Sequence, residues 1–154
     1  MRRRLKRTVV LAADLAVALR AESELHAPCE TGGILMGIVH SGIIEITHLI
    51  DAGPKAERAS HRFTPDGPWQ REQVADAYER SLRRLAYLGD WHSHPLGGRP
   101  SDLDRSTAAR IAAAPAARCP QPLFLIVTCE RGSWDLRAYE YCKRRFRHVA
   151  VAGG

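Results

Sequence analysis

Apolar and polar positions recur along this chain with two different periods, and the switches between them divide it into elements. The stretch "TVVLA" (8–12) is extended. After it, Leu15, Leu19, Glu22 and Leu25 or His26 fall at three- and four-residue steps, which predicts a short strand followed by an amphipathic helix. "GGILMGIVHSGIIEITHLI" (32–50) carries β-branched residues on both sides of the turn dipeptide Ser41-Gly42 and predicts a hairpin. Residues 51–65, "DAGPKAERASHRFTP", hold Gly, Pro, Ser and charges and read as a long surface loop, of a length more often functional than idle. Asp66 with Pro68 marks a helix start, and Val74, Ala77, Tyr78, Leu82 and Leu85 hold helical spacing through Arg84. "LAYLGDWHSH" then shifts to an extended pattern, and Ser101 opens a third helix that runs to about Ala114. "PLFLIVTC" (122–129) predicts a buried central strand, and Arg131-Gly132 turns the chain into "SWDLRAYEYCK", where Trp134, Leu136 and Ala138 alternate. The order strand, helix, hairpin, helix, strand, helix, hairpin predicts an α/β (α+β) fold: a single mixed β-sheet with helices packed on its faces.

At 154 residues and 45% hydrophobic content the chain supports one core, so residues 1–154 are expected to form one domain. The formal charge of +6 raises the question of nucleic acid, and its location answers it. Arg2, Arg3, Arg4, Lys6 and Arg7 open the chain, and Lys143, Arg144, Arg145 and Arg147 nearly close it. No aromatic residues interleave them as base-stacking would require, so both clusters read as solvated ends or patches for an acidic partner, and no nucleic acid is expected. Residues 1–7 and 148–154, including the final "VAVAGG", are expected to be loose. The opening imitates a secretion signal, but Asp14 interrupts its apolar run and Arg20 closes it, which favours a cytosolic start. No run approaches the 18 or so apolar residues of a membrane span. Cys29, Cys119, Cys129 and Cys142 form no C-x-x-C pair, so neither a zinc knuckle nor a redox dithiol is implied, and scattered reduced thiols fit a cytoplasmic location.

The chemistry concentrates in "GDWHSHPLGGRPSDLD" (89–104). On an extended segment alternate side chains share a face, so His92 and His94 point the same way about 6.6 Å apart at the backbone, close enough to share one ion. Zinc would take two imidazoles and a carboxylate, and leave a fourth position for water in a catalytic site. Asp104, across the turn "PLGGRP", is the candidate third ligand. The simpler readings are that Ser101-x-x-Asp104 is a helix capping box with Asp in place of Glu, and that two strand histidines are merely exposed. The joint spacing favours a metal site, and the two readings of Ser101 are compatible.

These residues carry a family resemblance. "HSHPLGGRPSDLD" resembles the JAMM (MPN+) metalloprotease motif H-x-H-P-x6-S-x2-D at His92, His94, Pro95, Ser101 and Asp104, and "PCETGGILMG" (28–37) is similar to the family's upstream glutamate element, with Glu30 as the match. "YLGDWHSHP" and "FTPD" look most similar to bacterial (Prok-JAB) members encoded beside ubiquitin-activating and conjugating enzyme homologues, some in antiphage CBASS operons. The resemblance implies the JAMM/MPN fold, which is cytidine-deaminase-like. It also implies one zinc per chain on His92, His94 and Asp104, with a bound water whose pKa falls toward about 7. Glu30 would act as general base and then general acid, and Ser101 would hydrogen-bond the oxyanion. The implied reaction is hydrolysis after the C-terminus of a ubiquitin-like (β-grasp) protein, whose tail would add as a strand beside the site.

Three alternatives stay open at this point: a peptidase that processes a sulfur-carrier protein, a zinc deaminase, and a metal-free scaffold. The deaminase signature needs P-C-x-x-C, which this chain lacks. Gly32, Gly33 and Gly37 mark backbone crowding. His26, His40, His48, His61 and His148 have no partner spacing, Ser93 is given no role, and Trp69, Trp91 and Trp134 read as core or sheet-face aromatics.

Overall fold

The computed structural model describes residues 6–153, so Arg2, Arg3 and Arg4 and the last glycine lie outside the described residues. Its elements are β1 (Thr8–Leu11), α1 (Ala13–His26), β2 (Gly32–His40), β3 (Ile43–Ile50), β4 (Glu57–Ala59), β5 (Arg62–Thr64), α2 (Gly67–Arg80), β6 (Ala86–His94), α3 (Asp102–Ala113), β7 (Leu123–Glu130), β8 (Ser133–Cys142) and β9 (Arg145–Gly153). Seven strands form one mixed sheet in the order β1-β3-β2-β6-β7-β8-β9, and it closes on itself where β1 pairs parallel with β9. The mixed sheet with packed helices agrees with the pattern read from the sequence; the closure goes beyond it.

Closure sorts the apolar residues into an inside and an outside. Val9, Leu35, Ile44, Leu88, Trp91, Leu125, Ala138 and Val149 bring one residue or more from every barrel strand into a single core, and Leu19 of α1 is buried among them. On the outer face, α2 covers Ile34, Met36 and Ile50 with Trp69, Val74 and Ala77. Beside it α3 covers Phe124 and Tyr141 with Ala108 and Ile111. The three tryptophans are core or sheet-face residues, as their pattern suggested.

Three expectations need correction. First, residues 148–154 are not a loose tail: through Gly153 they belong to β9, and the Lys143-Arg144 step before it is a tight turn in which both residues have positive φ, 51° and 66°. Part of the basic cluster taken for a terminus is therefore a hairpin. Second, the loop at 51–65 folds into the hairpin β4–β5, paired Glu57 to Thr64 and Ala59 to Arg62. Third, α2 stops at Arg80, because Leu82 and Arg83 adopt positive φ and the Arg83 N–H donates back to the Tyr78 carbonyl at 2.8 Å, a helix-ending bond usually built on glycine.

One irregularity decides what β6 presents. The β2–β6 register runs Leu35 to Gly89 and then Met36 to Tyr87, so Leu88 is an extra residue and the strand bulges there. The bulge lets Leu88 and Trp91 both point inward, while Asp90, His92 and His94 share the outer face. Gly89 has φ +145°, and a Cβ there would lie 1.8 Å from the Leu123 carbonyl oxygen of the parallel neighbour β7. Gly89→Ala is therefore expected to destabilise the fold by about 3 kcal/mol, a fall in Tm of roughly 6 to 12 °C by calorimetry. Gly153→Ala, where an added methyl meets nothing within 4 Å, should leave Tm unchanged. Equal stability of the two variants would refute the close approach.

Candidate metal centre

Two elements deliver the three candidate ligands. The C-terminal end of β6 carries His92 and His94, both buried, with the Phe124 ring from β7 nearly perpendicular to His92 at 5.9 Å between centroids. The first turn of α3 carries Asp104. The two Nε2 atoms lie 3.0 Å apart; Asp104 Oδ1 is 3.0 Å from His92 Nε2 and Oδ2 is 3.5 Å from His94 Nε2. All three ligand atoms fall within 4.8 Å of one another, and no cysteine joins the cluster. With a proton on one ring the two nitrogens form a hydrogen bond, and with both Nε2 atoms unprotonated their lone pairs converge on a point where a cation could sit. Donors of this kind, nitrogen twice and carboxylate oxygen once, fit a divalent ion such as zinc.

The helix cap aims the carboxylate. Ser101 Oγ accepts the Asp104 N–H at 3.1 Å, and Asp104 Oδ2 accepts the Ser101 N–H at 2.6 Å, a complete capping box. Holding Oδ2 in the cap leaves Oδ1 turned toward His92, so the cap and ligand readings of the same residue coexist. The Gly98 backbone, in the glycine turn 97–98 with φ of +81° and +107°, comes near enough to His94 to help raise its pKa.

The charges reinforce one another. Burial alone would raise the Asp104 carboxyl, but hydrogen bonds from His92 and His94 outweigh it and hold Asp104 far below the usual carboxylate range. For His94, burial favours the neutral ring, while the Asp104 hydrogen bond and the Asp104 and Glu30 charges win and raise its pKa. Glu30 is half-buried in the segment joining α1 to β2. Burial pushes its carboxyl up, against the pull of His94 and His92. The structure thus brings Glu30 within electrostatic reach of all three candidate ligands. Gly32 is what permits it: a Cβ there would sit 2.4 Å from the Trp91 carbonyl oxygen, so only a bare backbone lets β2 start against His92.

Sequence reading missed several neighbours. Asp90 shares the outer face of β6 with the histidines and accepts the Tyr87 phenol at 2.7 Å; burial raises its pKa, opposed by that bond and by the charges of His92 and Arg110. His61, at the tip of the β4–β5 hairpin, is close enough to act on the Glu30 charge. Ser93 is fully buried and accepts the Thr31 N–H at 2.9 Å. No pattern flags His61 and Ser93, because their partners are 31 and 62 positions away. His26, His40 and His148 lie apart from the centre, near Glu22, Glu45 and Tyr139 respectively.

The centre opens into a groove of about 1320 Å³ on the outer face. Ile34 and Asp90 lie on its floor, Gln70 and Val74 of α2 form one wall, and Thr107 and Ile111 of α3 the other.

Comparison with known proteins agrees with this geometry. The family model described as prokaryotic homologs of the JAB domain matches residues 12–139. A protein of Sinorhizobium fredii named probable metalloprotease y4qB is 36% identical over 108 residues, covering 68% of this chain and 66% of that protein, so the match spans just under two thirds of the relative's length. A CD-NTase/cGAS isopeptidase of Escherichia coli is 26% identical over 129 residues, covering 82% of this chain and 79% of that protein. A Pseudomonas aeruginosa protein of the same name is 36% identical over 87 residues, covering 55% of this chain and 54% of that protein. The solution structure of protein DSY2949 from Desulfitobacterium hafniense superimposes with a TM-score of 0.68 at 19% identity, over 96% of this chain and 93% of that one, a likeness of fold.

Removing one of the three candidate ligands is expected to weaken metal binding severely. Asp104→Ala should lower zinc affinity by more than about a hundredfold, since even partners one bond further out are worth ten- to a hundredfold. Elemental analysis after dialysis checks it, and a wild-type metal content would remove Asp104 from the ligand set.

Proposed function

Because the chain belongs to the prokaryotic JAB family of JAMM-like metalloproteases, we propose that it is a zinc-dependent isopeptidase or peptidase that hydrolyses the bond after the C-terminus of a ubiquitin-like protein. The observation that carries this reading is the meeting of His92, His94 and Asp104 beside the Glu30 carboxylate at the end of a groove. Zinc, held by those three side chains, would supply a Lewis acid and a source of hydroxide near neutral pH.

The chain's own residues do the rest. Glu30 takes a proton from the attacking water on its carboxylate and returns it to the departing amine nitrogen, so that water adds across the amide and no acyl-enzyme forms. Its raised pKa suits this work, since a proton carrier serves best near the operating pH. Ser101 Oγ already accepts the Asp104 N–H, so its own hydrogen remains to be donated to the carbonyl oxygen as charge develops there.

The hairpin β4–β5 supports an extended substrate. On one side of it the Ala59 carbonyl takes the Glu30 N–H at 2.8 Å, while on the other Arg62, Phe63 and Thr64 line the groove. Among the described residues β5 pairs only with β4, which leaves its outer edge for a tail to add as a strand. The relatives named CD-NTase/cGAS isopeptidase support an antiphage role, in which a ubiquitin-like modifier is removed from such a target. Among the described residues no helix is long and apolar enough to cross a membrane.

Zinc-loaded protein should cleave ubiquitin-like fusions and stop when a chelator is added. Glu30→Gln is expected to keep about one zinc per chain and to lose a factor of about 10² to 10⁴ in kcat; undiminished turnover would end the proton-carrier role. Ser101→Ala should lower kcat by about 10² to 10³ with KM little changed, and separately cost about 1 kcal/mol of stability through the lost cap. A loss confined to KM would contradict the oxyanion assignment.

A further inference from the structure

Between α1 and β2 two residues, Glu30 and Thr31, are gripped from both sides. The Glu30 N–H donates to the Ala59 carbonyl at 2.8 Å. Every polar group of Thr31 is engaged: its N–H donates to Ser93 Oγ at 2.9 Å, its carbonyl accepts the Ser93 N–H at 2.8 Å, and its Oγ1 accepts Arg58 Nε–H at 2.9 Å. Thr31 and Ser93 are wholly buried. Arg58, on β4, also approaches Glu22 of α1 at 3.9 Å. The β2–β6 ladder begins only at Gly32 opposite His92, so the Ser93 side chain carries that pairing one residue further upstream, to the neighbour of Glu30.

We propose that Arg58, Thr31 and Ser93 form a clamp that positions the Glu30 carboxylate. They are positioning residues that need touch neither substrate nor metal, and the inference rests on Glu30 being the proton carrier. Arg58 reaches Glu30 through geometry, its Nε–H held by the Thr31 hydroxyl one residue away, while the leading charges on the Glu30 carboxyl are those of His94, His92, Asp104 and His61. Proton transfer needs heavy atoms about 2.6 to 3.2 Å apart, and a displacement of about 1 Å can cost a hundredfold in rate. Thr31 is one peptide from Glu30, so freeing its hydroxyl or its amide lets the Glu30 backbone shift on that scale. The clamp reaches Glu30 from the hairpin and from the strand that bears the histidines, which fixes the carboxylate relative to both the groove edge and the metal ligands.

The test uses the full chain with Thr31→Val, Thr31→Ser, Arg58→Met and the Val/Met double variant, assayed on a ubiquitin-like fusion, with zinc content and amide hydrogen exchange measured alongside. Thr31→Val and Arg58→Met are expected to lower kcat about tenfold or more, with KM within about twofold and zinc retained. The double variant should be no worse than the more impaired single one, since all act on one clamp. Thr31→Ser should stay within about threefold of wild type because it keeps the acceptor. Exchange at the Glu30 amide should quicken about tenfold in the Val and Met variants while β6–β7 amides hold. Wild-type kcat in Thr31→Val and Arg58→Met overturns the proposal, as does equal impairment of Thr31→Ser, or loss of zinc in step with kcat. Unaltered kcat overturns it even where exchange quickens, whereas full activity of Glu30→Gln overturns the assignment on which it rests.

Discussion

The site depends on the path of β6 between two neighbours that allow it no freedom. On one side it pairs antiparallel with β2, on the other parallel with β7, and the extra residue at Leu88 is placed by a glycine whose neighbour's carbonyl leaves no room for a side chain. Without that step the alternation along the strand would turn the histidines toward the apolar barrel interior, where two imidazoles would be buried without partners. With it, the same alternation that fills the core with Leu88 and Trp91 puts Asp90, His92 and His94 on the face covered by α2 and α3. Packing and chemistry are two outcomes of one register.

The second contribution comes from a helix end. An N-terminus leaves backbone N–H groups without partners and carries a partial positive charge. Asp104 in the first turn of α3 answers both demands with one oxygen, and its other oxygen faces His92. A candidate ligand carboxylate is thereby oriented by local structure before any ion is considered. This economy explains why the capping interpretation of Ser101-x-x-Asp104 and the metal interpretation never competed: the cap is the device that sets the carboxylate's direction.

What could be read from the sequence, and what could not, divides along a physical line. His-x-His on a strand, a cap at Ser101 and the tight turns at Ser41-Gly42 and Arg131-Gly132 are local, and each residue type states its own conformational preference; both turns have the positive φ expected. The turn at Lys143-Arg144 has the same backbone shape with residues that do not favour it, so β9 went unseen and its start was taken for a charged tail. Leu82 and Arg83 end α2 in the same unadvertised way. The short strands β4 and β5 bury almost nothing and so carry no apolar alternation. Arg58, Thr31 and Ser93 meet only in three dimensions, and their partnership is invisible to any spacing rule.

Closure of the barrel has a consequence for how the molecule comes into being. Thr8–Leu11 is flanked by Ile43–Ile46 and by Ala150–Gly153, so the earliest-made of the barrel's strands waits for its latest-made before its second edge is covered. During synthesis that edge stays open beside an exposed apolar interior, and sequence separation of this size slows the final pairing. The ring is sealed only when translation of its last strand is complete.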